Sequence, residues 1–213
     1  MPGIALDRQV GVMLSPQAPI GGPAVAASYY LMLMNGNGSN QIPDDNGRFG
    51  IVGRTELGIY EYVRFGAGVF HNDRTVGEPP NLYQESDTGI TGDVTAKVGG
   101  LQAMAAVTHL RTVYPTVGVS ARVQLAFHAQ AGYKFEFENW HIGPAYRFAY
   151  FHPWQSGGAE GFDAYRLQYH TVGLRTGLTK LPLMAWLAYT LTGEGEGRKL
   201  TNDRIELMGQ VTF

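Results

Sequence analysis

The chain has 213 residues, with 16 Lys and Arg against 18 Asp and Glu and a formal net charge of -2 at pH 7. Charged residues make up only 16% of it, well below the roughly one quarter that is usual in a soluble domain. Its mean hydropathy of -0.13 is too polar for a helical membrane protein, and its longest apolar run, residues 24–34, is far shorter than the roughly 20 residues of a spanning helix. Few charges, 29 glycines and 12% aromatic residues together indicate strands that face lipid on one side and water on the other.

Apolar and polar side chains alternate with a period of two along nearly the whole chain, as they do in half-buried β-strands. In the last such stretch, Ile205, Leu207 and Val211 share one face with the terminal Phe213. The stretches have roughly ten residues, the length that a tilted strand needs to cross a bilayer. We predict eleven strands, over residues 9–15, 24–34, 48–58, 62–72, 88–98, 101–111, 121–135, 140–152, 164–178, 183–192 and 203–213.

The connections between these strands alternate in length. Short ones lie at residues 60–61, 99–100, 136–139 and 180–182, and long polar ones at 35–47, 73–87, 112–120, 153–163 and 193–202. Short turns on one rim and long loops on the other are usual in outer-membrane barrels. We therefore predict an all-β fold, an antiparallel up-and-down transmembrane β-barrel domain over residues 1–213, with about 10–12 strands and no helix longer than about two turns. Pro144 and the stretch 170–172 interrupt the pattern, and we expect a bulge at each.

The polar faces of the predicted strands carry mainly positive charge, and this is where we expect the functional residues. The bases on these faces are Arg48, Arg54, Arg64, Lys97, Arg122, Lys134, Arg147, Arg166, Arg175 and Arg204. Only three acids, Glu56, Asp93 and Glu206, are expected beside them, and the other acids fall in loops, turns and strand ends. The apolar faces carry no charge away from their ends, as lipid exposure requires, because a charge at the bilayer midplane costs roughly 2–4 kcal/mol.

These inward bases are candidate pore-lining residues that bind anions. A row of guanidinium groups in a water-filled lumen favours anions and provides several weak sites, and the planar fork of Arg suits phosphate. The alternative is that the arginines pair with wall and loop acids and only stiffen the wall. His128, His141 and His170 are expected to line the same lumen beside polar neighbours.

Other chemistry finds little support in the residues. The histidines lack zinc-ligand spacing, the glycine-rich residues 193–199 lack the spacing of a phosphate loop, and residues 44–47 fit a plain turn better than a cation site. We expect no cofactor, no metal, no catalytic residue and no nucleic-acid partner. A lipid-modifying barrel enzyme would need a lipid-facing Ser/His pair, and Ser28 lies on the opposite side from Tyr29. A structural or adhesive barrel would be plugged by inward bulky residues such as Met32, Met34, Met184 and Trp186.

Short motifs along the chain resemble the phosphate-selective porin O and P family. They are Asp7-Arg-Gln-Val-Gly-Val-Met-Leu14, Ser28-Tyr-Tyr-Leu-Met-Leu-Met-Asn-Gly36, Tyr169-His-Thr-Val-Gly-Leu174, Tyr189, Asn202-Asp-Arg204 and Gln210-Val-Thr-Phe213. The resemblance implies a porin of about sixteen strands in the outer membrane of a Gram-negative bacterium. It also implies contact with the lipid bilayer and lipopolysaccharide, a homotrimer, and passive diffusion of phosphate or other small anions.

The strand count predicts that this chain is the C-terminal portion of a longer porin. Because a long loop precedes the last strand, that strand ends on the periplasmic side, and counting back through eleven strands starts the first one on the extracellular side. The start, Met1-Pro-Gly-Ile4, also lacks a signal peptide. We expect at least one upstream strand to be missing, and pairing between residues 9–15 and 204–213 would contradict this.

Overall fold

The fold was obtained as a computed structural model, and the residues it describes are 10–16, 20–36, 47–77, 80–117, 119–156, 166–178, 183–195 and 202–211. They form β-strands and no helix: β1 (Gly11–Leu14), β2 (Ile20–Gly21), β3 (Val25–Met34), β4 (Gly50–Ile59), β5 (Val63–Val76), β6 (Tyr83–Val98), β7 (Leu101–Val113), β8 (Arg122–Tyr133), β9 (Phe135–Glu136), β10 (Trp140–Ser156), β11 (Leu167–Leu178), β12 (Leu183–Glu194) and β13 (Arg204–Val211). Within these residues, no helix is long and apolar enough to span a membrane.

All strands belong to one antiparallel sheet whose neighbours follow the order of the chain: β1-β3-β4-β5-β6-β7-β8-β10-β11-β12-β13. The predicted all-β, up-and-down fold is therefore confirmed. The sheet is not closed. Among the described residues, β1 pairs with β3 and β13 pairs with β12, and no ladder joins β1 to β13.

β2 and β9 have only two residues each, and each pairs with one strand of the sheet, β2 with β3 and β9 with β10. β1 pairs with the C-terminal part of β3 (Leu14 opposite Leu31). β2 pairs with the N-terminal part of β3 (Ile20 opposite Ala27), along the same edge of that strand. The amide of Gly22 then donates to the Val25 carbonyl at 2.9 Å, which makes the turn tight. The strands predicted over residues 9–15 and 24–34 therefore omit Ile20 and Gly21, which pair with β3. The sheet has eleven strand positions, as predicted.

The ladder registers separate an apolar face from a polar one, because residues directly opposite each other in an antiparallel pair share a face. Leu57, Phe65 and Val94 are neighbours across β4, β5 and β6 on the apolar face. The adjacent row on the other face holds Glu56 and Asp93. Large side chains of the apolar face are well exposed, with Leu57 at 43% and Phe65 at 45%. The chain thus presents a broad apolar surface of a kind that soluble monomers rarely expose.

Neither of the two predicted bulges is present. Ala145 pairs with Gly132 and Ile142 with Phe135, so two residues face two residues around Pro144 and none is inserted. Proline removes one amide from the ladder without changing the register, which accounts for the gap between β8 and β9. Residues 170–172 pair without interruption with both β10 and β12. The one register shift on β10 lies between His152 and Ser156.

The hairpin of β5 and β6 is longer than the sequence predicts. β5 continues to Val76 and β6 begins at Tyr83, where the prediction placed a loop over 73–87. Backbone pairing continues there (Val76 opposite Tyr83) although the apolar alternation has stopped. The terminal Phe213 lies outside the described residues.

Candidate functional site

Most of the predicted lumen bases do lie on the polar face. Seven of them belong to strands and share this face: Arg54, Arg64, Lys97, Arg122, Arg147, Arg175 and Arg204. The other three lie outside the strands. Arg48 precedes β4, Lys134 stands between β8 and β9, and Arg166 precedes β11.

In the middle of the polar face, Arg54 is neutralised by two acids. Its guanidinium spans β5 and makes two hydrogen bonds to Asp93, NH1 to Oδ2 at 2.7 Å and NH2 to Oδ1 at 3.0 Å. Its Nε donates to Glu56 at 3.0 Å. Gly66 lies between the partners, and a Cβ there would be 2.3 Å from the Arg54 NH2. The glycine therefore makes room for the bridge, and Arg54 carries no excess positive charge.

A second charged network lies on the polar face near the long loops. Arg74 contacts Glu85 at 2.8 Å and Asp87 at 3.3 Å, and Thr112 donates to Asp87 at 2.6 Å. Glu85, Asp87 and Thr112 are all buried. Burial also raises the pKa of the nearby Tyr114. The sequence analysis missed this network because residues 83–88 are almost all polar on both faces, so no amphipathic signal marks the strand.

The predicted excess of ten bases over three acids on the polar face is therefore reduced. Four acids assigned to loops and turns lie in strands on this face: Glu85, Asp87, Glu136 and Glu194. The strands that carry Glu85, Asp87 and Glu194 extend past their apolar segments, because backbone pairing and not hydrophobicity sets where a ladder ends. Glu136 is the first residue of the predicted turn 136–139, but it lies in β9 and forms a salt bridge with Lys134.

A net basic region remains near the short turns, where one concavity of about 940 Å³ opens on the polar face. Its charged lining consists of Arg64, Lys97, Lys134, Arg147 and Arg175 with one acid, Glu61 in the β4–β5 turn. Among the described residues, Arg64, Lys97 and Arg175 have no carboxylate partner. We call these three residues the basic cluster.

The register explains how the basic cluster forms from distant parts of the chain. Arg64 is opposite Thr95, so Lys97 lies diagonally from it, roughly 7–8 Å away between Cα atoms. Arg175 is opposite Gly143 and Trp186. Arg175 therefore has a residue without a side chain, Gly143, on one neighbouring strand and an aromatic residue, Trp186, on the other.

The remaining predicted bases lie apart from this concavity. Arg48 pairs with Asp73 at 3.1 Å, and Arg204 pairs with Glu206 at 3.1 Å on the edge strand. Arg122 is opposite Thr112 in the long-loop network. Arg166 adjoins β11, where its carbonyl accepts from the Gly195 amide.

Two of the three predicted lumen histidines lie on the polar face. His128 lies two residues before Gln130, which is opposite Arg147, and His141 covers Gly177 and lines the concavity. His170 lies on the apolar face instead, opposite Phe148, and bonds Tyr146 Oη at 2.7 Å. The sequence analysis placed it inward because it assumed a bulge that does not exist.

Residues named for the alternative functions also lie on the polar face. Ser28 is opposite Glu56, away from the apolar surface. Met34 is buried near the long loops, and Trp186 lies beside Arg175.

Comparison with known protein families, with curated protein sequences and with solved structures gave no significant match. The resemblance to the phosphate-selective porins thus stays a prediction that these comparisons neither support nor oppose.

Proposed function

We propose that this sheet is part of the wall of an outer-membrane channel through which small anions diffuse passively. The observation that carries the proposal is the basic cluster: Arg64, Lys97 and Arg175 line one concavity of the polar face without a carboxylate partner among the described residues. Fixed positive charge along a water-filled passage favours anions over cations. Phosphate is the solute that the resemblance suggests, and the Arg fork can donate two hydrogen bonds to it.

The membrane location is supported by the apolar face and by an aromatic group beside the short turns. Tyr133, Phe135, Phe137 and Trp140 surround the β8–β10 connection and are exposed. Phe137 and Trp140 stack with their ring centroids 4.2 Å apart. Barrels in the outer membrane carry aromatic girdles at both rims of an apolar band about 25 Å tall, so this group would mark the periplasmic rim.

Closure of the channel is part of the same proposal. The strand positions alternate in direction, so the edge strands β1 and β13 run the same way. Antiparallel pairing around a complete barrel then requires an odd number of further strands between them. A barrel of about sixteen strands, as the resemblance implies, would supply five. The homotrimer stays a prediction.

The test is the reversal potential of the protein in planar bilayers under a salt gradient. We expect anion preference in the parent protein, and a clear shift toward cations when Arg64→Glu is combined with Arg175→Glu. The matched control combines Arg48→Glu with Arg111→Glu, which changes the net charge equally but away from the concavity. A shift as large in the control, or an absence of conductance in the parent protein, would contradict the proposal.

A further inference from the structure

One transverse row of the apolar face, near the long loops, is polar. His71 on β5, Thr88 on β6 and Arg111 on β7 are direct cross-strand neighbours. His109 lies two residues before Arg111 on the same face. The next row toward the membrane centre joins His109 to Ile90 and Val69, and the row after that holds Val107, Gly92 and Ala67. The face therefore changes from apolar to polar within two rows.

The row lies one membrane thickness from the short turns. Leu101, the first residue of β7, follows the short turn at Gly99–Gly100, and Arg111 is ten residues farther along the strand. At about 3.3 Å per residue and a tilt of about 40°, ten residues rise roughly 25 Å. This matches the height of the apolar band, which places Arg111 at the opposite interface, on the extracellular side.

The guanidinium of Arg111 can donate hydrogen bonds at that interface. Its side chain is exposed, and among the described residues it has no carboxylate partner. The nearby acid Asp73 is already engaged by Arg48 at 3.1 Å and lies 3.6 Å from His71. His71 also bonds the Thr88 hydroxyl at 3.0 Å. The row therefore presents the Arg111 guanidinium, with imidazole rings beside it, to the membrane side of the wall.

We propose that His71, His109 and Arg111 form a docking site for the phosphate group of an anionic lipid in the outer leaflet. This inference rests on the proposed location in the outer membrane. The guanidinium of Arg111 can bind one phosphate through two hydrogen bonds. Val69 and Ile90, exposed at 57% and 58% in the next row, offer a surface for the acyl chains of the same molecule.

The apolar row distinguishes a lipid from free phosphate. A free phosphate ion needs the donors alone and gains nothing from Val69 and Ile90, whereas a phospholipid or phosphorylated glucolipid uses both parts. The basic cluster, by contrast, lies on the other face of the sheet, so the two sites can be tested separately.

The experiment is native mass spectrometry of the full-length protein, folded in a neutral detergent and titrated with diphosphorylated lipid A. Arg111→Gln is expected to weaken lipid binding about fivefold, since one basic side chain at an anionic membrane surface contributes about that factor. Arg111→Lys is expected to keep part of the affinity, because it retains the charge but not the fork. Arg122→Gln is the matched control: Arg122 lies on the neighbouring strand at the same level but faces the opposite side.

The docking site is overturned if Arg111→Gln binds lipid A as tightly as the parent protein, or if Arg122→Gln weakens binding equally. It is also overturned if millimolar inorganic phosphate displaces lipid A, because the site would then hold free phosphate. A heat-dependent shift on gel electrophoresis checks that each variant is folded. Arg111→Gln should leave the reversal potential unchanged, so a failure of this inference and a failure of the proposed channel give different results.

Discussion

Arg54 on β4 and Asp93 on β6 are joined by two hydrogen bonds of 2.7 and 3.0 Å that pass over the intervening strand β5. The two residues are 39 positions apart in the chain. Gly66 of β5 lies directly beneath the bridge, and Glu56 completes it from the same strand as Arg54. The sequence marked Arg54 as a free lumen base, but this relationship makes it part of a group of one base and two acids with a formal charge of -1.

Substitution of Gly66 should break the bridge. A Cβ at this position would be 2.3 Å from the Arg54 NH2 and 2.5 Å from Asp93 Oδ2. We expect Gly66→Ala to lower the free energy of unfolding by roughly 1–3 kcal/mol, because half-buried charged partners are forced apart. Urea titration of the folded protein measures this. Gly53→Ala is the control, since the nearest atom to its Cβ would be Val69 Cγ2 at an ordinary 3.7 Å; equal losses in both variants would contradict the steric explanation.

The two partners of the bridge should affect ion selectivity in opposite directions. Asp93→Asn removes one wall acid and weakens the neutralisation of Arg54, so the reversal potential should move toward greater anion preference. Arg54→Gln leaves Asp93 and Glu56 without their base and should move it toward cations. If both substitutions shift the potential in the same direction, the charge of this group does not act on the permeating ions.

Thr112 should contribute to stability through a single buried hydrogen bond. Its hydroxyl is fully buried and donates to Asp87 Oδ1 at 2.6 Å. Thr112→Val keeps the shape but removes the donor, and we expect a loss of roughly 1–3 kcal/mol because a buried carboxylate oxygen is left unsatisfied. Thr55→Val, on the exposed apolar face, serves as the control in the same urea titration. It should be neutral or slightly stabilising, and a comparable loss there would rule out the hydrogen bond as the cause.

Phe70 and Gly89 should be energetically coupled. They are opposite each other on β5 and β6, and a Cβ at Gly89 would be only 1.9 Å from Phe70 Cε1. Gly89→Ala forces the ring away, and Phe70→Ala uncovers the glycine, so each should destabilise. We expect the double substitution to cost less than the sum of the two, with a coupling of about 0.5–3 kcal/mol in a double-mutant cycle. Simple additivity would show that the ring does not rest on the glycine.

The terminal Phe213 should matter for assembly. Ile205, Leu207 and Val211 of β13 lie on the apolar face and are exposed at 73%, 78% and 58%. A terminal aromatic after such a series resembles the signal that outer-membrane assembly uses. Deleting Phe213 is expected to lower the yield of folded protein in cells, whereas Phe213→Tyr should retain it. An unchanged yield after the deletion would count against this interpretation.

The positions of the strands could be predicted from the sequence because alternation is a local signal. Each side chain in a strand points to the face opposite its neighbour, so a period of two marks both the strand and its lipid side. All eleven main strand positions follow from this, including the last, with Ile205 and Leu207 on the apolar face. The signal fails where both faces are polar, and this is why the extension of β6 over Glu85 and Asp87 was missed.

Which bases remain unneutralised was decided only by the tertiary structure. Arg54 and Arg64 are equivalent in the sequence, for both lie on polar faces of neighbouring strands. The register places Arg54 within reach of Asp93 across Gly66, whereas Arg64 lies opposite Thr95 and forms no salt bridge among the described residues. A salt bridge needs two side chains within about 4 Å, and that distance depends on how distant segments align. Local alternation determines the face of a residue, and the long-range register determines its partner.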